Sequence, residues 1–181
     1  MDEHAPTPSR GLRGAEVLHD PLARELLSLR LVATLATLEP DCSIHAVPMW
    51  FALDREAVVL ATGSRSRKVR NLERDPRASL VVHDSRPGFE VCGITMRGRV
   101  EIVRGEVAVP LVERVHRRYV HESGNRVAAA SELLASDDVA LRFLPERGLT
   151  WDERGSEAAR ALADAGAAHA LESTSPRFQP M

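Results

Sequence analysis

The chain has 181 residues, of which 44% are hydrophobic and 28% charged, and its formal net charge is -2. These values are typical of one globular domain, and the near-neutral charge gives no general attraction to nucleic acid or to anionic membranes. No apolar run approaches the roughly 20 residues that span a bilayer, and Met1–Arg13 lacks the apolar segment of a secretory signal. The two cysteines, Cys42 and Cys92, form no CxxC pattern and could form one bridge, but without a secretory signal we expect reduced thiols and a cytoplasmic protein.

Composition divides the chain into three segments. Residues 1–14 are polar and contain Pro and Gly, which is typical of a flexible arm. Residues 15–153 carry the apolar patterns of a folded domain. Residues 154–181 form an alanine-rich tail, in which 157–171 could be helical with a face too small to bury well, followed by a disordered end.

The first half of the domain predicts a helix and then three strands. Asp20-Pro21 begins the helix, because Asp can cap the amide groups and Pro suits the first turn. Apolar runs then predict strands at 31–38, 44–53 and 57–62, separated by turns at 39–42 and 54–56. The run 44–53 is apolar on both faces, so we expect it to be buried on both sides.

The second half continues this mixture of strands and peripheral helices. We expect helices at 67–74 and 110–121, a loop at 122–135, and strands at 78–83, 91–103, 139–144 and 149–151. Gly98 interrupts the alternation of the long strand, which indicates a bulge or a close backbone approach. Connections of hairpin length predict a mainly β protein, an antiparallel barrel with helices packed outside.

The segment from Thr62 to Asn71 (TGSRSRKVRN) carries the clearest chemical signal. Ser66 is a suitable N-cap for a helix that starts at Arg67, and helix N-termini favour anions. Four cations nevertheless crowd this positive end: Arg65, Arg67, Lys68 and Arg70. A solvated basic face is the alternative, but a bound phosphate would accept from both the amide groups and the cations. The pattern therefore favours a phosphate-bearing ligand.

The motifs on either side of this segment resemble the pyridoxamine 5′-phosphate oxidase-like, or split β-barrel, superfamily. The resemblance is greatest to its branch of flavin- and deazaflavin-dependent oxidoreductases, which use FMN or coenzyme F420, and it covers most of residues 22–152. The matching segments are Ala33–Leu38, Pro48–Phe51, Ala61–Gly63, Arg67–Leu72, Arg74–Leu80 and Arg97–Glu101.

The resemblance implies a six-stranded antiparallel split β-barrel of the FMN-binding type, an obligate homodimer, and a cofactor in the groove between the subunits. It implies that Arg65, Arg67 and Lys68 hold phosphate, and that Asn71 orients the phosphate loop. It also implies that the backbone of 47–50 and 61–62 lines the tricyclic ring. The cofactor-binding residues are then Val47, Pro48, Met49, Trp50, Ala61, Thr62, Arg65, Ser66, Arg67, Lys68 and Asn71.

The implied function is hydride or electron transfer to an unidentified small organic substrate, with coenzyme F420 favoured over FMN and no nucleophilic side chain expected. Asp41-Cys42 stands where the family has an Asp-Gly turn. Trp151 is followed by Asp152, so the substrate-binding Arg and Trp pattern of true pyridoxamine phosphate oxidases has no counterpart, which argues against vitamin B6 oxidation.

Three alternatives follow from the same residues. One is a non-catalytic flavin-, F420- or haem-binding protein on the same fold, since fold does not determine function. A second is a nucleic-acid binder that uses Arg65–Arg70, against which stand the net charge and the absence of interleaved aromatic residues. A third is a metal site, which we do not expect because His116 and His121 are five residues apart and lie on different faces of the predicted helix.

Overall fold

A single antiparallel sheet of eight strands dominates the computed structural model, which describes residues 7–86, 90–120 and 137–166. The strands are β1 (Thr7–Arg13), β2 (Ala33–Leu38), β3 (Ile44–Met49), β4 (Phe51–Asp54), β5 (Ala57–Gly63), β6 (Arg77–Arg86), β7 (Glu90–Val103) and β8 (Asp138–Asp152). The helices are α1 (Glu16–His19), α2 (Pro21–Ser28), α3 (Arg67–Arg74), α4 (Val109–Tyr119) and α5 (Glu157–Asp164), with a 3₁₀ turn at Gly105–Val107.

The sheet curls because its two end strands are neighbours in the chain. Its order is β3-β2-β6-β7-β8-β5-β4, with β1 added beside β8, and only Trp50 separates β3 from β4. The two ends of the sheet must therefore meet at Trp50. With β3 and β4 taken as one interrupted strand, β2–β8 form the six strands of the predicted split barrel, and β1 is an addition. The mainly β, antiparallel fold is confirmed.

The barrel interior is filled by alternate residues of the strands, as the alternation of side chains in a strand requires. Fully buried side chains come from the central strands and from α2: Leu26, Leu27, Leu35, Leu60, Leu80, Ile94, Leu141 and Phe143. A smaller cluster lies under α4, where Val112 and Val115 pack on Val59 and Ala140. No helix within the described ranges is long and apolar enough to cross a bilayer.

Two local predictions are confirmed. Asp20 caps α2: its Oδ1 accepts from the amide groups of Leu22 (3.0 Å) and Ala23 (3.1 Å). At Gly98 the register between β7 and β8 shifts, and a Cβ there would overlap the carbonyl oxygen of Leu144. Only glycine permits this close approach of two backbones.

The prediction of a flexible arm over residues 1–14 is wrong for Thr7–Arg13. These residues form β1, which pairs with β8 from Thr7–Asp152 to Arg13–Arg147, and Leu12 is buried. The reason lies in β8, which is longer than its neighbour: β5 pairs only with 138–143. The edge at 147–152 would otherwise be open, and β1 covers it.

The prediction of one strand over 44–53, buried on both sides, is wrong in two respects. It breaks at Trp50 into β3 and β4, and β3 is exposed, with Ile44 72% accessible and Ala46 and Pro48 exposed. Within the described residues β3 pairs only with β2, so one edge and its outer face are uncovered.

Toward the C-terminus the predicted boundaries also change. The two predicted strands at 139–144 and 149–151 are one strand, β8, and the predicted helix over 157–171 is described as α5 up to Asp164. The predicted loop 122–135 and the chain after residue 166 lie outside the described residues.

Candidate functional site

The barrel has an opening between β3 and the last residues of β5. β4 pairs with β5 from Asp54–Ala57 to Phe51–Leu60, and beyond that pair β5 continues through Ala61–Gly63 while the chain turns at Trp50 into β3. We call the gap between β3 and the end of β5 the split. It brings together two segments predicted from the sequence, because Val47–Trp50 lies along one edge and Ala61–Thr62 along the other.

Trp50, at the closed end of the split, is held by an aromatic contact with α4. Its ring stacks on that of Tyr119 with centroids 5.1 Å apart and planes within 2°. The Tyr119 hydroxyl donates to the carbonyl oxygen of Leu31 (2.5 Å) and accepts from the amide of Phe51 (3.4 Å). Burial raises the pKa of this hydroxyl. Trp50 remains 40% exposed, so its ring is fixed in orientation while still open to a ligand.

The N-terminus of α3 lies at the far end of β5, which is the open end of the split. Ser66 occupies the N-cap position, as predicted, but its side chain accepts no capping bond from α3; instead it accepts from the hydroxyl of Thr62 (3.4 Å). The predicted N-cap position is therefore confirmed, although the Ser66 side chain makes no capping hydrogen bond. Among the residues that the structure describes, no side chain accepts from the amide groups of the first turn, which is the arrangement that suits an external anion.

The connection between β5 and α3 is anchored to the start of β8. The amide of Ser64 donates to the carbonyl oxygen of Asp137 (2.8 Å), and the Ser64 hydroxyl donates to the Asp137 carboxylate. Asn71 is buried and its Nδ2 donates to Oγ1 of Thr37 (3.1 Å), whose hydroxyl in turn donates to the carbonyl oxygen of His45 (3.4 Å). The position of α3 is thus set by β2, β3 and β8, and Asn71 reaches β2.

The three predicted phosphate-binding cations occupy different environments. Arg65 is exposed, and its carbonyl oxygen accepts from Arg70 (2.5 Å). Arg67 is also exposed and lies 3.5 Å from a carboxylate oxygen of Glu39. Lys68 is half-buried: burial lowers the pKa of its ammonium group, and the nearby Asp138 carboxylate opposes that effect.

Several neighbours of the site could not be found from sequence spacing. Glu39 lies between Arg67 and His45, and its Oε1 is buried without a hydrogen bond, 3.9 Å from Nδ1 of His45. Asp138 lies 3.6 Å from Nε2 of His116, and Tyr119 stacks on Trp50. These groups come from the end of β2, the start of β8 and α4, so only the folded chain shows that they are neighbours.

The donor set fits a phosphate group. The open end of the split offers uncapped amide groups, the Thr62 and Ser66 hydroxyls, and Lys68 and Arg67, all of which are phosphate donors. The orphaned Glu39 oxygen is the one misfit, because a carboxylate there competes for Arg67. A cavity of about 310 Å³ on the outer face, between Ile44 and Arg97, contains none of the predicted site residues.

Comparison with known proteins supports this reading of the fold. The chain is 28% identical to the conserved hypothetical protein Rv2991 from Mycobacterium tuberculosis, with a TM-score of 0.61 over 72% of this chain and 82% of that one. It is 24% identical to an F420 reductase (TM-score 0.52, 69% of this chain and 94% of that one). It is 20% identical to HutZ, the haem storage protein of Vibrio cholerae (TM-score 0.59, 74% and 94%). The last two likenesses show the fold alone.

A search of curated proteins gave no match. The model of the pyridoxamine 5′-phosphate oxidase family, by contrast, matches residues 20–152, which include β2–β8 and the whole split. Both the matched range and the antiparallel split barrel place the chain in the pyridoxamine 5′-phosphate oxidase family.

Proposed function

We propose that the protein is an oxidoreductase that acts as a homodimer and binds an isoalloxazine-type cofactor in the split, coenzyme F420 in preference to FMN. The observation that carries this proposal is the position of Lys68. Its ammonium group is half-buried in the first turn of α3, beside amide groups that none of the described side chains caps. A cation at a helix N-terminus is unfavourable by itself, and a bound phosphate would make it favourable.

Phosphate binding at this end would use groups that are free to change partners. The Thr62 and Ser66 hydroxyls contact only weakly, at 3.4 Å, and can both turn toward an anion. Arg67 is 63% exposed, and its contact with Glu39 is 3.5 Å long. The guanidinium end of this pair is open to solvent, so it can turn from the carboxylate to a dianionic phosphate.

The ring would lie along the split toward Trp50. Backbone N–H and C=O groups at the facing edges of β3 and β5 can hydrogen-bond the heteroatoms of a tricyclic ring, and Trp50 offers an aromatic face of fixed orientation. When bound, the cofactor supplies the hydride-transfer chemistry. This chain contributes binding, orientation and a boundary that excludes water at the closed end.

Homodimer formation would complete the groove. The outer face beside the split carries exposed apolar residues, namely Ile44, Ala46 and Pro48 on β3 and Val32 before β2. Such a patch next to an open strand edge is typical of a protein-protein interface. We also predict from the sequence that the protein acts in the cytoplasm on a small organic substrate. The prediction that it binds neither nucleic acid nor metal likewise rests on the sequence.

The direct test is cofactor binding by the purified full-length chain. We expect quenching of F420 or FMN fluorescence, and turnover of an artificial acceptor by the reduced complex. One charge-assisted hydrogen bond contributes about 1.5–3 kcal/mol, so Lys68→Ala should weaken cofactor binding roughly 10- to 100-fold. The matched control is Arg77→Ala, since Arg77 lies beyond α3 and pairs with Asp75.

Each possible result has a defined meaning. Equal affinity of Lys68→Ala and the wild type for the cofactor would refute the phosphate assignment. Cofactor binding without turnover of any acceptor would favour a non-catalytic carrier. A Soret band with added haem, and no affinity for FMN or F420, would favour the haem-binding alternative.

A further inference from the structure

Three arginine side chains lie next to one another on the outer face of the sheet. Arg97 of β7 lies opposite Arg147 of β8, which in turn lies opposite Arg13 of β1. All three are exposed, whereas the adjacent residues Leu12 and Met96 are buried in the barrel. The three side chains therefore form one cross-strand row that points away from the core.

Two other arginines of this sheet, by contrast, form ion pairs. Arg142 lies 2.5 Å from Glu101, and Arg99 lies 3.4 Å from Glu146. Within the described part of the chain no carboxylate forms an ion pair with the row, and Glu16 contacts only the backbone amide of Arg13 (3.3 Å). Like charges directly opposite each other in a sheet are destabilising, and an anion bound between them would remove that repulsion.

The space beside the row can hold a small molecule. The three arginines line a groove of about 500 Å³ together with Thr95 and Leu149, and a glycine, Gly11, keeps one side open. Neighbouring strands are about 4.8 Å apart, so the row extends over roughly 10 Å. That length exceeds one phosphate group and suits an anion with two or three charged groups. Because the net charge of the chain is -2, the positive charge of the row is a local concentration and not a property of the whole surface.

We propose that Arg13, Arg97 and Arg147 form a binding groove for a small molecule with two or more phosphate or carboxylate groups, at a site separate from the split. The same cross-strand row continues through Ser79 of β6 and Ala36 of β2 to Ala46 of β3, where the surface becomes apolar. The apolar patch assigned to the dimer thus lies at one end of the outer face and the arginines at the other.

Titration calorimetry with sodium tripolyphosphate tests the proposal. The full-length Lys68→Ala variant is the reference, so that phosphate binding at the split is weakened in every protein compared. Arg147→Gln, which removes the central charge, should weaken binding at least tenfold, and Arg13→Gln and Arg97→Gln should each weaken it too. Orthophosphate should bind more weakly than tripolyphosphate. Arg117→Gln is the control, because it makes the same charge change at an exposed ion pair on α4.

Three results would overturn the proposal: no effect of Arg147→Gln, an equal effect of Arg117→Gln, or a change of oligomeric state in place of a change in affinity. The affinity of Arg147→Gln for F420 and FMN identifies the source of the anion. A lower cofactor affinity assigns the groove to a charged arm of the cofactor, and an unchanged one to a separate anionic molecule. Failure of the cofactor proposal would leave the tripolyphosphate result intact.

Discussion

Cys42 and Cys92 have opposite environments, and this determines which thiol can react. Cys92 is fully buried, and burial raises the pKa of its thiol, so little of the reactive thiolate forms. Cys42 is exposed in the turn after β2 with a φ of 66°, a left-handed conformation in which glycine is usual. Cys42 thus occupies a left-handed position that glycine would adopt without strain.

We expect a thiol reagent to modify one thiol per native chain and two in denaturant. The Cys42→Ser variant should show none in the native state. Rapid modification of Cys92 in that variant would mean that the barrel opens far more readily than its packing indicates.

His116 couples the stability of the site to pH. Burial lowers its pKa below the usual 6.5 and outweighs the opposing effect of Asp138, which lies 3.6 Å away. In the pH range between the folded and the ordinary pKa, the unfolded chain binds more protons than the folded one. The contribution of His116 to the free energy of unfolding is thus complete above about pH 6.5 and is lost as the pH falls below it.

Urea denaturation of the wild type and of His116→Gln between pH 5 and pH 8 should show this difference. The wild type should lose stability more steeply below pH 6.5, by at most about 1.4 kcal/mol per pH unit for one group. Parallel curves for the two proteins would show that another group is responsible.

Among the helices and strands, β1 is the one that differs most from the prediction made from the sequence. It covers the open part of β8 and places Leu12 in the main core. The strand is therefore part of the folded domain, and Arg13 in it completes the arginine row.

We expect Leu12→Ala to lower the free energy of unfolding by about 2–5 kcal/mol, as for other buried leucines. Gly11→Ala on the same strand is the control and should change little, because a Cβ there meets nothing within 4 Å. Chemical denaturation measures both. If Leu12→Ala had no effect on stability, β1 would not be docked in solution.

What the sequence could predict depends on how local each signal is. The Asp20 cap, the α3 boundaries and the Gly98 bulge are encoded within a few residues and were predicted. β1 was not, because its sequence TPSRGLR has no alternation and its partner is β8, far along the chain. The apolar run 44–53 likewise shows strand tendency, but which edge stays uncovered depends on the whole sheet order.

The outer face of the sheet is apolar at β3 and carries the arginine row at β7, β8 and β1. This difference leads to a prediction about assembly. If the apolar end forms the homodimer, Ile44→Asp should place a charge in the interface and shift the protein toward monomer in light scattering at micromolar concentration. Val107→Asp is the matched control, since Val107 is similarly exposed (69%) but lies on the 3₁₀ turn before α4.

A dimer that persists unchanged in Ile44→Asp would show that copies associate through another surface. Monomeric wild-type protein would remove the proposed groove between subunits. In either case the barrel itself would be expected to fold, because Ile44 contributes nothing to the core.

The single-residue link at Trp50 also has a mechanical consequence. The barrel is closed there by covalent chain and not by a ladder of hydrogen bonds, so the gap between β3 and β5 can widen without breaking any strand pairing. At the closed end the contact of Trp50 with Tyr119 resists widening, and aromatic pairs contribute only about 0.5–1.5 kcal/mol beyond their burial. At the open end the hydrogen bonds from Asn71 to Thr37 and from Thr37 to His45 link α3 to β2 and β3. The barrel is thus stiff along its paired strands and more easily deformed at the gap between β3 and β5.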